Sequence, residues 1–214
     1  MTALVALTIL ALIALLGAQY LDHQRAVWIA KPLASTGFVA VAVERGGLGQ
    51  IANGDVYAMG MMAGLVLSWW GDVLLIPKNR PSLFRAGLFA FLLGHVAYAL
   101  AFASKGLDTG AAGASALVLG IIGIAVLRWL RPAVPDPLLL PVRAYVIVIS
   151  AMLLCAVGAV VYGGDSRILL GAGLFYVSDL AVARDRFIAP GFANAAWGLP
   201  LYYGGQLVLA LTLG

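Results

Sequence analysis

The chain has 214 residues, 63% of them hydrophobic and only 10% charged. Soluble domains are roughly half apolar and about a quarter charged, so this composition excludes a soluble globular enzyme, a disordered chain and a coiled coil. The length suits about seven or eight membrane-spanning helices of ~20 residues with short connections, and leaves no room for a separate soluble domain. Residues 1–214 are therefore expected to form one transmembrane domain. The single cysteine, Cys155, excludes an intrachain disulfide; it lies in an apolar run and reads as a packing residue.

The first apolar run is Thr2 to Tyr20. It lacks a basic start and continues to full span length, so it reads as a retained helix rather than a signal peptide. The second span is Ala26 to Val43. A helix starting at Pro32 would be too short to cross, so the span should run through Pro32 with a kink that frees the carbonyl of Trp28. The third is Val56 to Ile76, closed by Pro77 and a polar turn of Lys78, Asn79 and Arg80. The fourth is Leu83 to Ser104 and the fifth Gly110 to Leu127. The stretch from Arg128 to Pro137 is rich in proline and reads as non-helical. The sixth span starts near Pro141 and reaches Tyr162. The seventh is Ile168 to Ala183, and the eighth is Ala195 to Leu213.

Charge tests this layout. Alternate loops, with the helix ends beside them, hold Arg25, Lys31, Lys78, Arg80, Arg85, Arg128, Arg131, Arg143, Arg184 and Arg186. The intervening loops hold only Arg45, Lys105 and Arg167, which completes the 13 Lys and Arg of the chain. The positive-inside rule then places both termini outside and the basic loops in the cytoplasm. The net charge of +4 thus reads as topology, with contacts to anionic membrane lipids. No solvated basic face for nucleic acid is visible.

Ionisable side chains inside a span are costly and mark function. Asp72 and Asp179 each lie about four residues before a span ends at the basic side, which places both carboxylates ~6–8 Å inside the same boundary. Gly71 and Ser178 precede them and permit close helix approach. Ser68 shares a face with Asp72. The two acids stand half a chain length apart, each in the third helix of a four-helix half, a spacing compatible with a parallel repeat. Lys31, Arg143 and Tyr145 begin spans at the same end. His95 and Tyr98 share a face of the fourth span, and Tyr202, Tyr203 and Gln206 form a polar patch in the eighth. With two histidines and one cysteine, the chain cannot build a three-histidine or multi-thiolate zinc site. It also lacks a Gly-rich phosphate loop and a nucleophile elbow, and no cofactor is implied.

These residues resemble a family. The run from Ser68 through Trp69, Trp70 and Gly71 to Asp72, followed by Phe84, Gly87, Phe91, His95 and Tyr98, is similar to the signature half of the YhhN-like membrane proteins, the lysoplasmalogenase family. So are Lys31-Pro32, Pro141-Val142 with Tyr145 and Met152, the block from Gly173 to Phe187 containing Ser178-Asp179, and Tyr202-Tyr203 with Gln206. The resemblance implies a multi-helix membrane hydrolase whose partners are membrane lipids and a lysoplasmalogen substrate. A lysoplasmalogen is a single-chain glycerophospholipid with a vinyl ether. Its products would be a fatty aldehyde and glycerophosphoethanolamine or glycerophosphocholine.

Vinyl ether cleavage needs a positioned acid, and a carboxylate to steady the oxocarbenium ion, the demand that glycosidases meet with two carboxyl groups. Asp72 and Asp179 are the expected catalytic pair. Lys31 and Arg143 would hold the phosphate. Ser68, His95, Tyr98, Tyr145, Ser178, Tyr203 and Gln206 would bind the glycerol or line the pocket. The expected location is a bacterial inner membrane, with the pocket opening to the cytoplasm. Two other readings stay open at this level: a small transporter or lipid-binding protein that uses the aspartates as proton relays, and an intramembrane aspartyl protease.

Overall fold

The computed structural model describes residues 2–77 and 79–214, so Lys78 of the expected polar turn lies outside the described residues. Regular structure among them is helical: α1 (Thr2–Tyr20), α2 (Gln24–Glu44), α3 (Gly47–Ala52), α4 (Val56–Leu74), α5 (Pro81–Ser104), α6 (Thr109–Leu130), α7 (Asp136–Val161), α8 (Ser166–Ala183) and α9 (Phe192–Ala210). A π turn (Arg184–Ile188) continues α8.

The expected spans fall on the long helices, and the differences have local causes. Helix α2 runs unbroken through Pro32. Helix α6 continues through Arg128 to Leu130, and α7 starts at Asp136, so the proline-rich loop shrinks to residues 131–135. Pro137 sits in the first turn of α7, where a missing N–H has no helical acceptor to lose. Helix α3 was not foreseen; it follows Gly46, whose φ of 87° an L side chain rarely adopts.

Among the described residues, six helices are long and apolar enough to cross a membrane: α1, α2, α5, α6, α7, and α8 with its π turn. Helices α4 and α9 are not among them. Helix α4 packs on α2, α5 and α9, and α9 on α1, α2, α4 and α8. Their inward stripes carry Ser68 and Asp72 on α4, and Tyr202, Tyr203 and Gln206 on α9. Shielding by neighbours lets these two helices be less apolar than those facing lipid. The outer helix α6 shows the converse, with Leu117, Val118, Ile121 and Ile124 exposed.

Consecutive long helices run antiparallel, so the bundle has two distinct ends. One joins the C-terminus to α2, where Arg45 Nε donates to the Leu213 carbonyl at 2.7 Å, and to the start of α8, where Arg167 Nη1 donates to the Leu211 carbonyl at 2.9 Å. Arg45, Lys105 and Arg167 belong to this end. The remaining described basic residues lie toward the other.

Helices α8 and α9 meet at backbone distance. A Cβ on Gly205 would stand 2.9 Å from the Gly171 carbonyl oxygen and 3.1 Å from the Phe175 nitrogen. Both neighbours are backbone and cannot rotate away. Gly205→Ala should therefore destabilise by about 1–3 kcal/mol, read as a lower Tm in detergent. Gly173→Ala, with nothing within 4 Å of the added carbon, should gain about 0.5–1 kcal/mol.

Helix α8 is capped by Asp165, whose carboxylate accepts from the Arg167 backbone N–H at 2.8 Å and from its Nε at 2.7 Å. The Arg167 hydrogen bonds hold this exposed carboxyl below its usual range. A depressed carboxyl stabilises the fold above its unfolded pKa and loses that contribution as pH falls through the folded one. Asp165→Ala should cost about 1 kcal/mol at neutral pH, and the gap to wild type should close below about pH 4 in thermal melts at stepped pH.

Candidate active site

Asp72 is 2% exposed. Helix α2 reaches it twice, one turn apart: Lys31 Nζ lies 3.2 Å from Oδ1, and Ser35 Oγ donates to Oδ2 at 2.6 Å. From α9, Tyr202 donates its hydroxyl to the same Oδ2 at 2.7 Å. The adjacent Tyr203 hydroxyl lies 3.1 Å from Ser35 Oγ and donates to the Lys31 carbonyl at 3.3 Å. Ser35 Oγ, whose one proton goes to Asp72, lies 3.0 Å from the same carbonyl. The carboxylate thus meets one cationic side chain and two hydroxyl donors.

Asp179 has a different set. Tyr145 of α7 donates to its Oδ2 at 2.7 Å, and His95 Nε2 of α5 lies 3.2 Å from the same oxygen. His95 Nε2 and the Tyr145 hydroxyl are 3.0 Å apart, which closes a triangle. His95 is fully buried, with Nδ1 at 3.4 Å from the Met152 sulfur. The Asp179 side chain keeps 16% exposure, enough to present its other oxygen to a ligand. Among the described residues, each carboxylate is bound by its own neighbours.

Both carboxylates nevertheless line one cavity of about 460 Å³. Its buried end holds Lys31 and Asp72, and its exposed rim holds Asp22, Arg186, Gly191 and Phe192. Between the two acid clusters lies an aromatic plate. Tyr202 packs edge-on against Phe91 at 5.8 Å and Phe175 at 5.3 Å, and Phe175 contacts the His95 ring at 4.4 Å. Gly71 makes room for Phe91: a Cβ there would overlap the ring. The rest of the lining is largely aliphatic, with Leu88, Leu130, Val146 and Ile149 among it, a surface suited to a hydrocarbon chain.

The sequence-derived residues divide. Lys31, Asp72, Tyr145, Ser178 and Asp179 line the cavity. His95 lies behind Asp179 and reaches the cavity only through it. Ser68, Tyr98 and Gln206 lie outside the lining; Tyr98 donates to Gln206 Oε1 at 2.6 Å in a fully buried contact. Ser178 turns its hydroxyl back to the Phe175 carbonyl at 2.7 Å. Tyr203 binds behind Ser35, and it is Tyr202 that contacts the acid.

The expected phosphate clamp needs correction. Arg143 is exposed and lies off the cavity lining. It stands two residues from Tyr145, about 200° round the helix, so the two cannot face inward together. Lys31 lines the cavity but is engaged by Asp72. Sequence reasoning missed Ser35, Tyr202 as a direct partner of Asp72, and Arg186 on the rim. Ser35 was findable one turn after Lys31, on the same face.

The YhhN family model matches residues 6–213. Lysoplasmalogenase TMEM86A of Bos taurus is 32% identical over 160 residues, covering 71% of this chain and 64% of that protein. Lysoplasmalogenase TMEM86B of Homo sapiens is 32% identical over 180 residues, covering 84% of this chain and 70% of that protein. The chain thus spans slightly less than two thirds of the bovine relative's length. No solved structure matches. Six membrane-length apolar helices among the described residues, and a family match across nearly the whole chain, identify this chain as an integral membrane protein that belongs to the YhhN family.

Proposed function

We propose that this protein hydrolyses the vinyl ether of a lysoplasmalogen, releasing a fatty aldehyde and glycerophosphoethanolamine or glycerophosphocholine. The observation that carries this reading is the one cavity, apolar over most of its wall, on which two differently partnered carboxylates open. The names of the relatives support it.

Each carboxylate suits one role. Asp179 acts as the acid. Tyr145 and His95 both engage Oδ2, so the proton is carried on Oδ1 and passes to the β carbon of the vinyl ether. The double bond is consumed and an oxocarbenium ion forms. Asp72, held as an anion by Lys31, Ser35 and Tyr202, steadies that cation and orients a water molecule. Water adds to the α carbon and its proton returns to Asp179. The resulting hemiacetal collapses: its hydroxyl proton passes through Asp179 to the glycerol oxygen, the C–O bond breaks, and the aldehyde leaves. One water is consumed and both carboxyl groups end as they began.

The same reading extends to topology. All eight long helices cross the membrane, with α4 and α9 shielded by the others. The cavity end, with most of the basic residues, faces the cytoplasm of a bacterial cell, and both termini lie outside.

Aldehyde release by purified protein from a lysoplasmalogen in detergent tests the activity directly. Asp179→Asn should lower kcat by about 10²–10⁴-fold with an unchanged Tm. Full activity in that variant would remove Asp179 from the chemistry. No aldehyde from the wild type would leave lipid binding or transport as the cavity's use.

The assignment of Asp72 as an anion has its own check. Lys31→Met strands a buried carboxylate and should destabilise by about 3–5 kcal/mol. Adding Asp72→Asn should recover most of that loss in thermal melts. Additive losses would mean that the two groups are not coupled as an ion pair.

A further inference from the structure

Lys31 is committed to Asp72 and Arg143 lies off the cavity, so a phosphate bound there needs another cation. Among the described residues lining the cavity, only Lys31 and Arg186 are cationic. Arg186 is exposed on the rim, and its guanidinium carbon sits 4.1 Å above the centre of the Phe84 ring. Stacking on an aromatic face orients the planar group while leaving its N–H fork available.

The backbone beneath Arg186 is pinned. It lies in the π turn after α8. Arg184 donates from Nη1 to Asn194 Oδ1 at 2.6 Å, and Asn194 donates from Nδ2 to Asp185 Oδ1 at 3.0 Å. The Gly191 N–H adds a second donor to that oxygen at 2.9 Å. Asn194 is 2% exposed, which makes the network a rigid tie between the turn and α9. Both donors take Asp185 Oδ1, so Oδ2 of this cavity-lining residue remains for a cation.

Spacing agrees with a ligand running from rim to acid. Arg186 is seven residues beyond Asp179, about 10 Å along a helical path. In a lysoplasmalogen, seven bonds separate the vinyl β carbon from phosphorus, a comparable reach when extended. Resting on the vinyl ether reading of the cavity, we infer that Arg186 and Asp185 form a zwitterion-reading headgroup site. Arg186 binds the phosphate bidentately, and Asp185 pairs with the terminal ammonium through Oδ2.

Binding to uncleavable probes tests this without depending on turnover. A lysophosphoethanolamine carrying a saturated hexadecyl ether is compared with hexadecylglycerol, which has no phosphate, on purified protein in detergent. Wild type should bind the phosphate-bearing probe more tightly. Arg186→Ala should weaken that probe by about ten- to a hundredfold and leave hexadecylglycerol unchanged, while Arg186→Lys keeps part of the preference. Asp185→Asn should weaken the ethanolamine probe but not hexadecyl lysophosphatidate, which lacks the amine.

Equal losses on both probes, no loss on either, or no preference in the wild type would overturn the assignment. Displacement of the probe by millimolar inorganic phosphate alone would also overturn it, because the site would then read a free anion rather than a lipid headgroup. Aldehyde release distinguishes the two readings. Selective binding without cleavage defeats the proposed chemistry alone; cleavage without selective binding defeats the headgroup site alone.

Discussion

A lysine and an aspartate lie within a bundle whose outer face is hydrocarbon-like, and neither charge is tolerable there without the other. Lys31 and Asp72 stand 3.2 Å apart at side-chain exposures of 11% and 3%. Such a pair contributes little net stability, because desolvation cancels most of the attraction. Its consequence is positional. The remaining valences of the carboxylate are taken by Ser35 from the same helix and Tyr202 from another, so one charged group fixes α2, α4 and α9 in register. The cavity wall is assembled around that junction, and α4 and α9 can carry polar inward stripes because the other helices surround them.

The two carboxylates differ in chemical character because their neighbours differ in kind. Asp72 receives a full positive charge and two hydroxyl donors. Asp179 receives a phenol and an imidazole, both on one oxygen. The first set brings an ammonium group to the carboxylate and occupies both of its oxygens; the second gathers on one oxygen only. The aromatic plate of Phe91, Phe175 and Tyr202 separates the sets while touching both.

Much of this was legible in the sequence, and the limits were geometric. The spans followed from hydropathy, since unbroken apolar runs must form helices in lipid. Their ends did not always follow, because Pro137 breaks a helix only where an N–H is needed. Helix α3 was missed because six residues carry no apolar period. Asp72 and Asp179 stood out as ionisable residues in apolar runs, and the depth argument put them at one end of the bundle. Which side chains meet them is a matter of helix rotation. Tyr202 and Tyr203 are neighbours, yet the first touches the acid and the second lies behind Ser35. Arg143 and Tyr145 share a turn but face opposite ways. Arg186 looked like one more topology charge, since only the π turn and the stacking on Phe84 bring it to the cavity rim.

The seam where Gly171 and Gly205 meet lets α8 and α9 approach at backbone distance, and these helices carry Asp179 and the Tyr202 that grips Asp72. Where they meet, main chain faces main chain, and the seam works like the fixed jaw of a caliper: neither helix can move closer there without a backbone clash. A rigid gauge of that kind cannot adjust to a misplaced bond. Under the proposed reaction, chain length and bond position, rather than closure of α8 on α9, would decide which molecules react.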